Sequence, residues 1–433
     1  MSEISVGLIN LALLLILFLT GIELGFAMAI MGFFGFAYLV SLPAAFNLLA
    51  KDIFDAFSSY GFTVIPLFVF MGQIAFNAGI AAQLFDSANK FMGHIPGGLA
   101  IATVAGATVF KAICGSSPAT AATFASVAVP EMDRFGYARK LSTGIVAVVG
   151  TLGVLLPPSV TLILFGVITE QSIGKLFMAG VVPGLLTAMF FVFIIVGWAK
   201  MNPAIAPRGA RFGWGDRVKS IPAVLWPVLI FLVVIGGLLK GFFTPSEAGS
   251  VGTAAVLVLA VLKRQLGWKA FIKAVDESLR TACMVLMLIG GSAILGHFIA
   301  VTNIPSVAAD WIASLPLHRY IIMCVIAIFY LLGGSFIDDL AFMILATPIF
   351  YPAIIKLGFD PMWFGIMICV TVMVGVVVPP VAINVFVVKN ITKTPFSTIY
   401  GGVYPFLLSL LFIAILLFIF PPIATWLPNM LYK

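Results

Sequence analysis

The chain has 433 residues, 62% of them hydrophobic and 9% charged, with a net charge of +7 and a mean hydropathy of +1.20. A soluble domain carries roughly 25% charged residues, so the composition excludes a soluble globular protein and predicts an all-α polytopic protein of a bacterial inner membrane. The basic residues fall in short loops, which excludes a nucleic-acid surface. Cys114, Cys283, Cys324 and Cys369 sit in apolar segments without metal spacing, and His94, His297 and His318 are scattered. No cofactor or haem site is expected, and the cysteines read as small hydrophobes.

Two apolar spans, about Ile9 to Leu24 and Gly25 to Leu42, open the chain and are divided only weakly near Glu23. Glu3 is the only charge before them. A cleaved signal needs a positive first region, so a retained first span with an outside N-terminus is expected. Residues 43–60 read as interfacial and Gly61 to Phe76 as a third span. Asn77 to Gly98 mixes Asp86, Lys90 and His94 with Leu84, Phe85 and Phe91, the pattern of an interfacial amphipathic arm.

Next come two apolar runs, Gly98 to Ile113 and Ala121 to Val129, around Gly115-Ser116-Ser117-Pro118-Ala119-Thr120. Each is shorter than the ~20 residues that span a bilayer. The pattern predicts a re-entrant hairpin over about 98–130 with a polar tip at membrane depth. Irregular backbone survives there only when buried in protein or lining a wet cavity. The span from Leu141 to Ile168 is interrupted by Gly150, Gly153 and Pro157-Pro158. Prolines remove backbone donors and clash with the preceding turn, so this helix breaks inside the membrane. Phe177 to Ala199 completes the first half.

Residues 200–220 carry Lys200, Arg208, Arg211, Arg217 and Lys219 against Asp216 alone, and read as a cytoplasmic basic linker. Placing this segment, Lys263 to Arg280, Arg134 to Lys140 and Lys389 to Lys393 inside closes the span count. Both termini then fall on the periplasmic side. Gly153, Pro157, Pro158, Gly180, Val181, Pro183 and Leu185 match Gly375, Pro379, Pro380, Gly402, Val403, Pro405 and Leu407, all 222 positions apart. Upstream, Gly115, Ser117 and Pro130 match Gly333, Ser335 and Pro348 at 218, with four extra residues placed before Gly358. Residues 1–199 and 221–433 are therefore expected to be two repeats, the second with a hairpin over about 319–352 and a break at Pro379-Pro380. The charge map makes them inverted in topology, the plan of secondary transporters.

These segments resemble a known family. Ile65-Pro66-Leu67-Phe68-Val69-Phe70-Met71-Gly72, the Gly115 to Thr120 tip, Pro130-Glu131-Met132 with Gly136-Tyr137, Leu156-Pro157-Pro158-Ser159, Ala179 to Gly184, Phe243 to Ala248 and Val378-Pro379-Pro380 are similar to the large membrane subunit of TRAP transporters, within the ion transporter superfamily. The resemblance covers nearly the whole chain. It implies sodium-coupled import of an organic acid anion (dicarboxylate, sialic acid or sulfonate) delivered by a periplasmic binding protein. It also implies a small four-helix membrane subunit as partner and an elevator motion of the hairpin-bearing domain. The chain departs from the family pattern at Lys111, Cys114 and Val378, which puts in doubt any role carried by those side chains.

Sodium takes oxygen ligands, and helix breaks expose carbonyls at membrane depth. A first cation site is expected from Ser116 and Ser117 with carbonyls near Gly153, Leu156 and Ser159. A second is expected from Gly334 with carbonyls near Gly375, Val378 and Val381. Substrate contacts are expected from Ser117, Thr120, Thr161, Asp338, Asn384 and Lys111. Asp338 and Asp339 are intramembrane carboxylates, which are costly and usually functional. Asp338, paired with Thr120 at the 218 offset, would bind a cation, orient substrate or cap a half-helix. Asn384, paired with Leu162, would line the cavity or satisfy a polar core contact. Lys111, one turn before the tip, would meet the substrate's charge, pair with Asp338 or Asp339, face a wet crevice, or replace a cation near the first site. Glu23 and Glu247 are expected at scaffold or subunit contacts. Gly115-Ser116-Ser117 also mimics the nucleophile of an intramembrane serine protease, but no histidine lies in the hairpin or the broken helix beside it. A channel and a stand-alone sodium- or proton-coupled anion carrier of the same broad fold compete with the transporter-subunit reading.

Overall fold

A computed structural model describes residues 2–431. The first half holds α1 (Glu3–Phe18), α2 (Leu24–Leu39), α3 (Leu42–Ser58), α4 (Val64–Asn77, after a 3₁₀ turn Tyr60–Thr63), α5 (Ile80–Met92), α6 (Gly98–Lys111), α7 (Ser117–Arg134), α8 (Arg139–Thr151), α9 (Val160–Ile168) and α10 (Ile173–Met201). The second holds α11 (Trp214–Leu239), α12 (Pro245–Leu262), α13 (Trp268–Val301), α14 (Ile304–Ser314), α15 (Arg319–Phe336), α16 (Asp339–Lys356), α17 (Pro361–Gly375), α18 (Ile383–Thr392), α19 (Phe396–Ile419) and α20 (Pro422–Leu431). Among the described residues the backbone is helical apart from its connections and one isolated bridge, Pro96 to Arg208. Eight helical segments are long and apolar enough to cross a membrane.

Local chemistry sets the helix limits. Ser41, Ser172 and Asp360 cap α3, α10 and α17 through their side chains, and Thr244 with Glu247 forms a reciprocal capping box on α12. Each cap satisfies a backbone donor that the first turn leaves unpaired. The first span differs from its expected limits. It begins at Glu3 under a Ser2 cap and stops before a turn containing Gly21 at φ +83. A left-handed glycine ends a helix cleanly, so α1 and α2 are sharply divided. The expected interfacial segment 43–60 is the amphipathic α3, and Asn77 to Gly98 is the amphipathic α5 followed by a short turn.

The hairpins are α6–α7 and α15–α16. Each runs four residues past its expected end, to Arg134 and Lys356, with Pro130 and Pro352 carried inside the second arm. Their lengths correct the sequence register. The second arms both have 18 residues and start 222 positions apart, while the first arms have 14 and 18. The four extra residues thus lie in α15, before the second tip. Asp338 corresponds to Ser116 rather than to Thr120, Pro352 rather than Pro348 corresponds to Pro130, and Gly333 corresponds to Lys111.

Two groups of helices meet at the hairpin tips. In one, α2 and α3 pack on α13, α4 packs on α12 and α13, and α11 packs on α12. In the other, α6 and α7 pack on α8, α18 packs on α7 and α8, α15 packs on α17, and α19 packs on α8. Lipid supplies no hydrophobic drive between helices, so close approach of backbones matters. At the α8–α19 crossing a Cβ on Gly402 would lie 1.7 Å from Lys140 O, so only glycine fits. Outer faces leave Leu13, Phe34, Leu232, Val258 and Ile415 exposed, as a lipid-facing surface requires. Residues 200–220, expected as a linker, are stitched to both ends of hairpin 1. Gly97 N donates to Ala206 O at 3.0 Å, Gly209 N to Gly93 O at 2.7 Å, and Ala138 N to Ile205 O at 2.9 Å.

Candidate functional site

At the first tip the chain leaves α6 at Lys111, turns through Ala112 to Gly115, and re-enters a helix at Ser117 under a Ser116 cap. The Ser116 hydroxyl accepts from Ala119 N at 3.3 Å. The Ser116 carbonyl accepts three donors: Thr120 N at 3.3 Å, Thr120 Oγ1 at 2.9 Å and Lys111 Nζ at 2.8 Å. Lys111 is 0% exposed. Its ammonium lies against Gly153, where a Cβ would stand 2.2 Å from Nζ. It therefore bridges the hairpin tip to the break after α8. Ser117 Oγ pairs with Asn384, whose amide also donates to Ala147 O at 3.1 Å. Ser159 caps α9, donating to Val154 O at 2.6 Å and accepting from Leu162 N at 3.3 Å.

The second tip is built differently. Asp338 caps α16, its Oδ1 accepting from Leu340 N at 3.1 Å and Ala341 N at 3.2 Å. Asp339 follows as the first helical residue. At Gly333, the position that corresponds to Lys111, the Phe342 ring fills the space, 2.0 Å from a would-be Cβ. Tyr330 and Thr347 join the two arms through their hydroxyls at 3.1 Å. Val381 N donates to Ser335 O at 3.0 Å, and Gly375 sits against the Gly334 backbone. Among the described residues no backbone N–H outside the helical ladders reaches the carbonyls of Gly334, Val378 or Val381.

A cavity of about 450 Å³ lies where the tips face α4 and α13. Ser116, Ser117, Gly153, Thr161, Asp338 and Asp339 line it from the hairpin side, with Gln73, Glu277 and Thr281 opposite. Its lining holds three carboxylates, from Glu277, Asp338 and Asp339, and no basic side chain. Glu277 accepts from Asn77 Nδ2 at 3.3 Å, and Gln73 Oε1 is buried without a hydrogen-bond partner. Among the described residues these carboxylates do not converge into a metal-binding group, so a hard cation here would rest on backbone and hydroxyl oxygens beside them.

The structure brings some expected residues together and turns others away. Ser116, Ser117, Gly153, Thr161 and Asp338 reach the cavity, whereas Leu156, Ser159, Gly334, Gly375, Val378 and Val381 do not line it. Thr120 is fully buried with its hydroxyl bonded back to Ser116 O. Asn384 is a satisfied core contact, and Lys111 meets neither Asp338 nor the cavity. Gln73, Glu277 and Thr281 line the cavity without any local pattern to single them out. Glu277 stands among Asp276 and Arg280, a charged stretch that reads as loop, but α13 runs unbroken for 34 residues and sets Glu277 and Thr281 on one face at i, i+4.

A family profile described as "Tripartite ATP-independent periplasmic transporter, DctM component" matches residues 11–423. The chain belongs to that family. It is 35% identical over 396 residues, 91% of this chain and 92% of that protein, to the C4-dicarboxylate TRAP transporter large permease protein DctM of Pseudomonas aeruginosa. It is 28% identical over 417 residues to the sialic acid TRAP transporter large permease protein SiaM of Vibrio cholerae, 96% of each chain. In fold it is similar to the YdaH transporter of Alcanivorax borkumensis, with a TM-score of 0.66 at 14% identity, covering 90% of each chain. This DctM-family chain is thus a multi-pass membrane permease and not a protease: Ser116 and Ser117 are a cap and a core contact, not nucleophiles.

Proposed function

We propose that this chain is the translocating subunit of a sodium-coupled importer of an organic acid anion. A periplasmic binding protein delivers the anion, and a small four-helix membrane subunit braces the α2–α4 and α11–α13 group. The hairpin-bearing group moves against it as an elevator, in two inverted repeats, with both chain ends periplasmic in a bacterial inner membrane. Family membership and the two packed helix groups support this reading.

The observation that carries the coupling is the lining of the cavity. Three carboxylates face the space between the tips; Glu277 pairs with Lys273 at 3.6 Å, whereas Asp338 and Asp339 have no basic partner among the described residues. Two like charges 4 Å apart repel by about 4 kcal/mol at an effective dielectric near 20. An organic anion therefore enters well only after cations have neutralised that lining, which makes cation binding a precondition of substrate binding. The free carbonyls of Gly334, Val378 and Val381 supply neutral oxygens for one such ion. Uptake into proteoliposomes holding the full complex should require the binding protein and an inward sodium gradient. Undiminished uptake with potassium on both sides refutes the reading.

The same lining favours a second substrate class, a zwitterion whose positive end faces the carboxylates. A relative from Halomonas elongata, 28% identical over 431 residues, is named an ectoine permease. A thermal-shift screen of the cognate binding protein against dicarboxylates, sialic acid, sulfonates and ectoine separates the two.

A further inference from the structure

The two tips should hold two cations if both are open to ions, but the first is closed by its own chain. Of the oxygens gathered there, Ser116 O already accepts three donors, against two lone pairs on a carbonyl. The hydroxyls of Ser116, Ser117 and Ser159 each already accept one donor, from Ala119 N, Asn384 Nδ2 and Leu162 N, which leaves one lone pair apiece. Ser159 O accepts from Ile163 N at 3.0 Å. Among the described residues the carbonyls of Gly153 and Leu156 accept no backbone donor outside the helical ladders. The space beside Gly153 is filled by the Lys111 ammonium, fully buried and within 4 Å of no carboxylate among the described residues. Beside that charge lie the C-terminal ends of α6 and α8, which present the negative pole of a helix, and the capped N-terminus of α7, whose Ser116 carbonyl it bonds.

We propose that the Lys111 ammonium is a resident cation occupying the first hairpin-tip site, so that the chain binds and couples to a mobile cation only at the second tip. Three features support it. The ammonium spans the two parts, tip and helix break, that a bound ion would join. It is held by a carbonyl rather than a side-chain charge. And the corresponding place in hairpin 2 has Gly333 with an aromatic ring against it, so no built-in charge competes there. A covalently tethered cation keeps hairpin 1 assembled in every state of the cycle, while hairpin 2 is completed only when an ion arrives.

This assignment rests on the sodium-coupled reading, and its test separates the two. Equilibrium binding of radiolabelled sodium to the purified complex, together with the sodium dependence of uptake in proteoliposomes, is measured for wild type and for Lys111→Ser, which clears the space and adds a hydroxyl. The expected result is one ion per chain and a Hill coefficient near one in wild type, against two ions per chain and a steeper sodium curve in Lys111→Ser. Equal ion counts in the two proteins overturn the assignment and leave sodium coupling standing. If Lys111→Ser does not assemble, the wild-type count decides: one ion per chain supports the assignment and two overturn it. Uptake and binding that ignore sodium in both proteins overturn the coupling reading, and the assignment falls with it.

Discussion

The tip of hairpin 1 carries its charge on Lys111, which fills the space beside Gly153 and bonds the Ser116 carbonyl, whereas the tip of hairpin 2 carries Asp338 and Asp339 and leaves backbone carbonyls free. Both tips start an 18-residue second arm from a side-chain cap, Ser116 in one and Asp338 in the other. Same scaffold and opposite charge teach that the tip's backbone plan is set by capping, and its ion chemistry by what fills the space beside the facing glycine. Gly153 faces an ammonium, and Gly375 faces the Gly334 backbone.

The contrast breaks most readily at Asp338. Asp338→Ala uncovers two backbone donors, a loss of about 1 kcal/mol for a missing cap, and removes a cavity carboxylate. Uptake should fall at least about tenfold, which is ~1.4 kcal/mol on the rate-limiting barrier. Asp338→Asn keeps the cap and loses the charge, so it should preserve the melting temperature of the complex and lose sodium stimulation. An Asn variant with wild-type sodium dependence would reduce Asp338 to a cap.

Gly153→Ala is the next largest. Its Cβ would stand 2.2 Å from Lys111 Nζ, so the ammonium must leave its place, and uptake should drop roughly tenfold, as for a buried polar group losing its partner. Adding Lys111→Ser removes the obstacle and should recover much of the loss. No recovery in the double variant would mean that Gly153 is needed for helix packing alone. Glu277→Gln sits on the opposite wall and is partly exposed. Its effect should be a rise of no more than about fivefold in the sodium concentration for half-maximal uptake, the range of a solvent-screened charge. Ser117→Ala is the smallest. Asn384 keeps Ala147 O but loses both of its hydrogen bonds with Ser117 Oγ, about 1 kcal/mol each, read as a fall in melting temperature with uptake down less than about fivefold.

Much of this arrangement is legible in the sequence. The polar Gly115-Ser116-Ser117 stretch between two apolar runs predicts a turn between two helices, and Pro157-Pro158 and Pro379-Pro380 have to break their helices. The register between the halves is less legible. Gly333 and Ser335 offer a tempting match at 218, but that match ignores where a helix can be capped, and Asp338 is the cap. Glu277 escapes because charge near Arg280 reads as loop, while a 34-residue helix carries it to the cavity beside the tips.

Composition and helix breaks were thus determined by the sequence itself, because each depends on neighbours a few residues away. The allocation of oxygens was decided only by tertiary structure. Ser117 is claimed by Asn384, 267 residues on. Thr120 is claimed by the carbonyl of the capping Ser116 within its own turn, and Lys111 reaches both that carbonyl and the backbone beside Gly153. A polar group in a membrane interior binds whatever donor or acceptor the fold brings to it, since water is not there to compete. Whether a given oxygen can serve an ion therefore depends on partners that no local pattern announces.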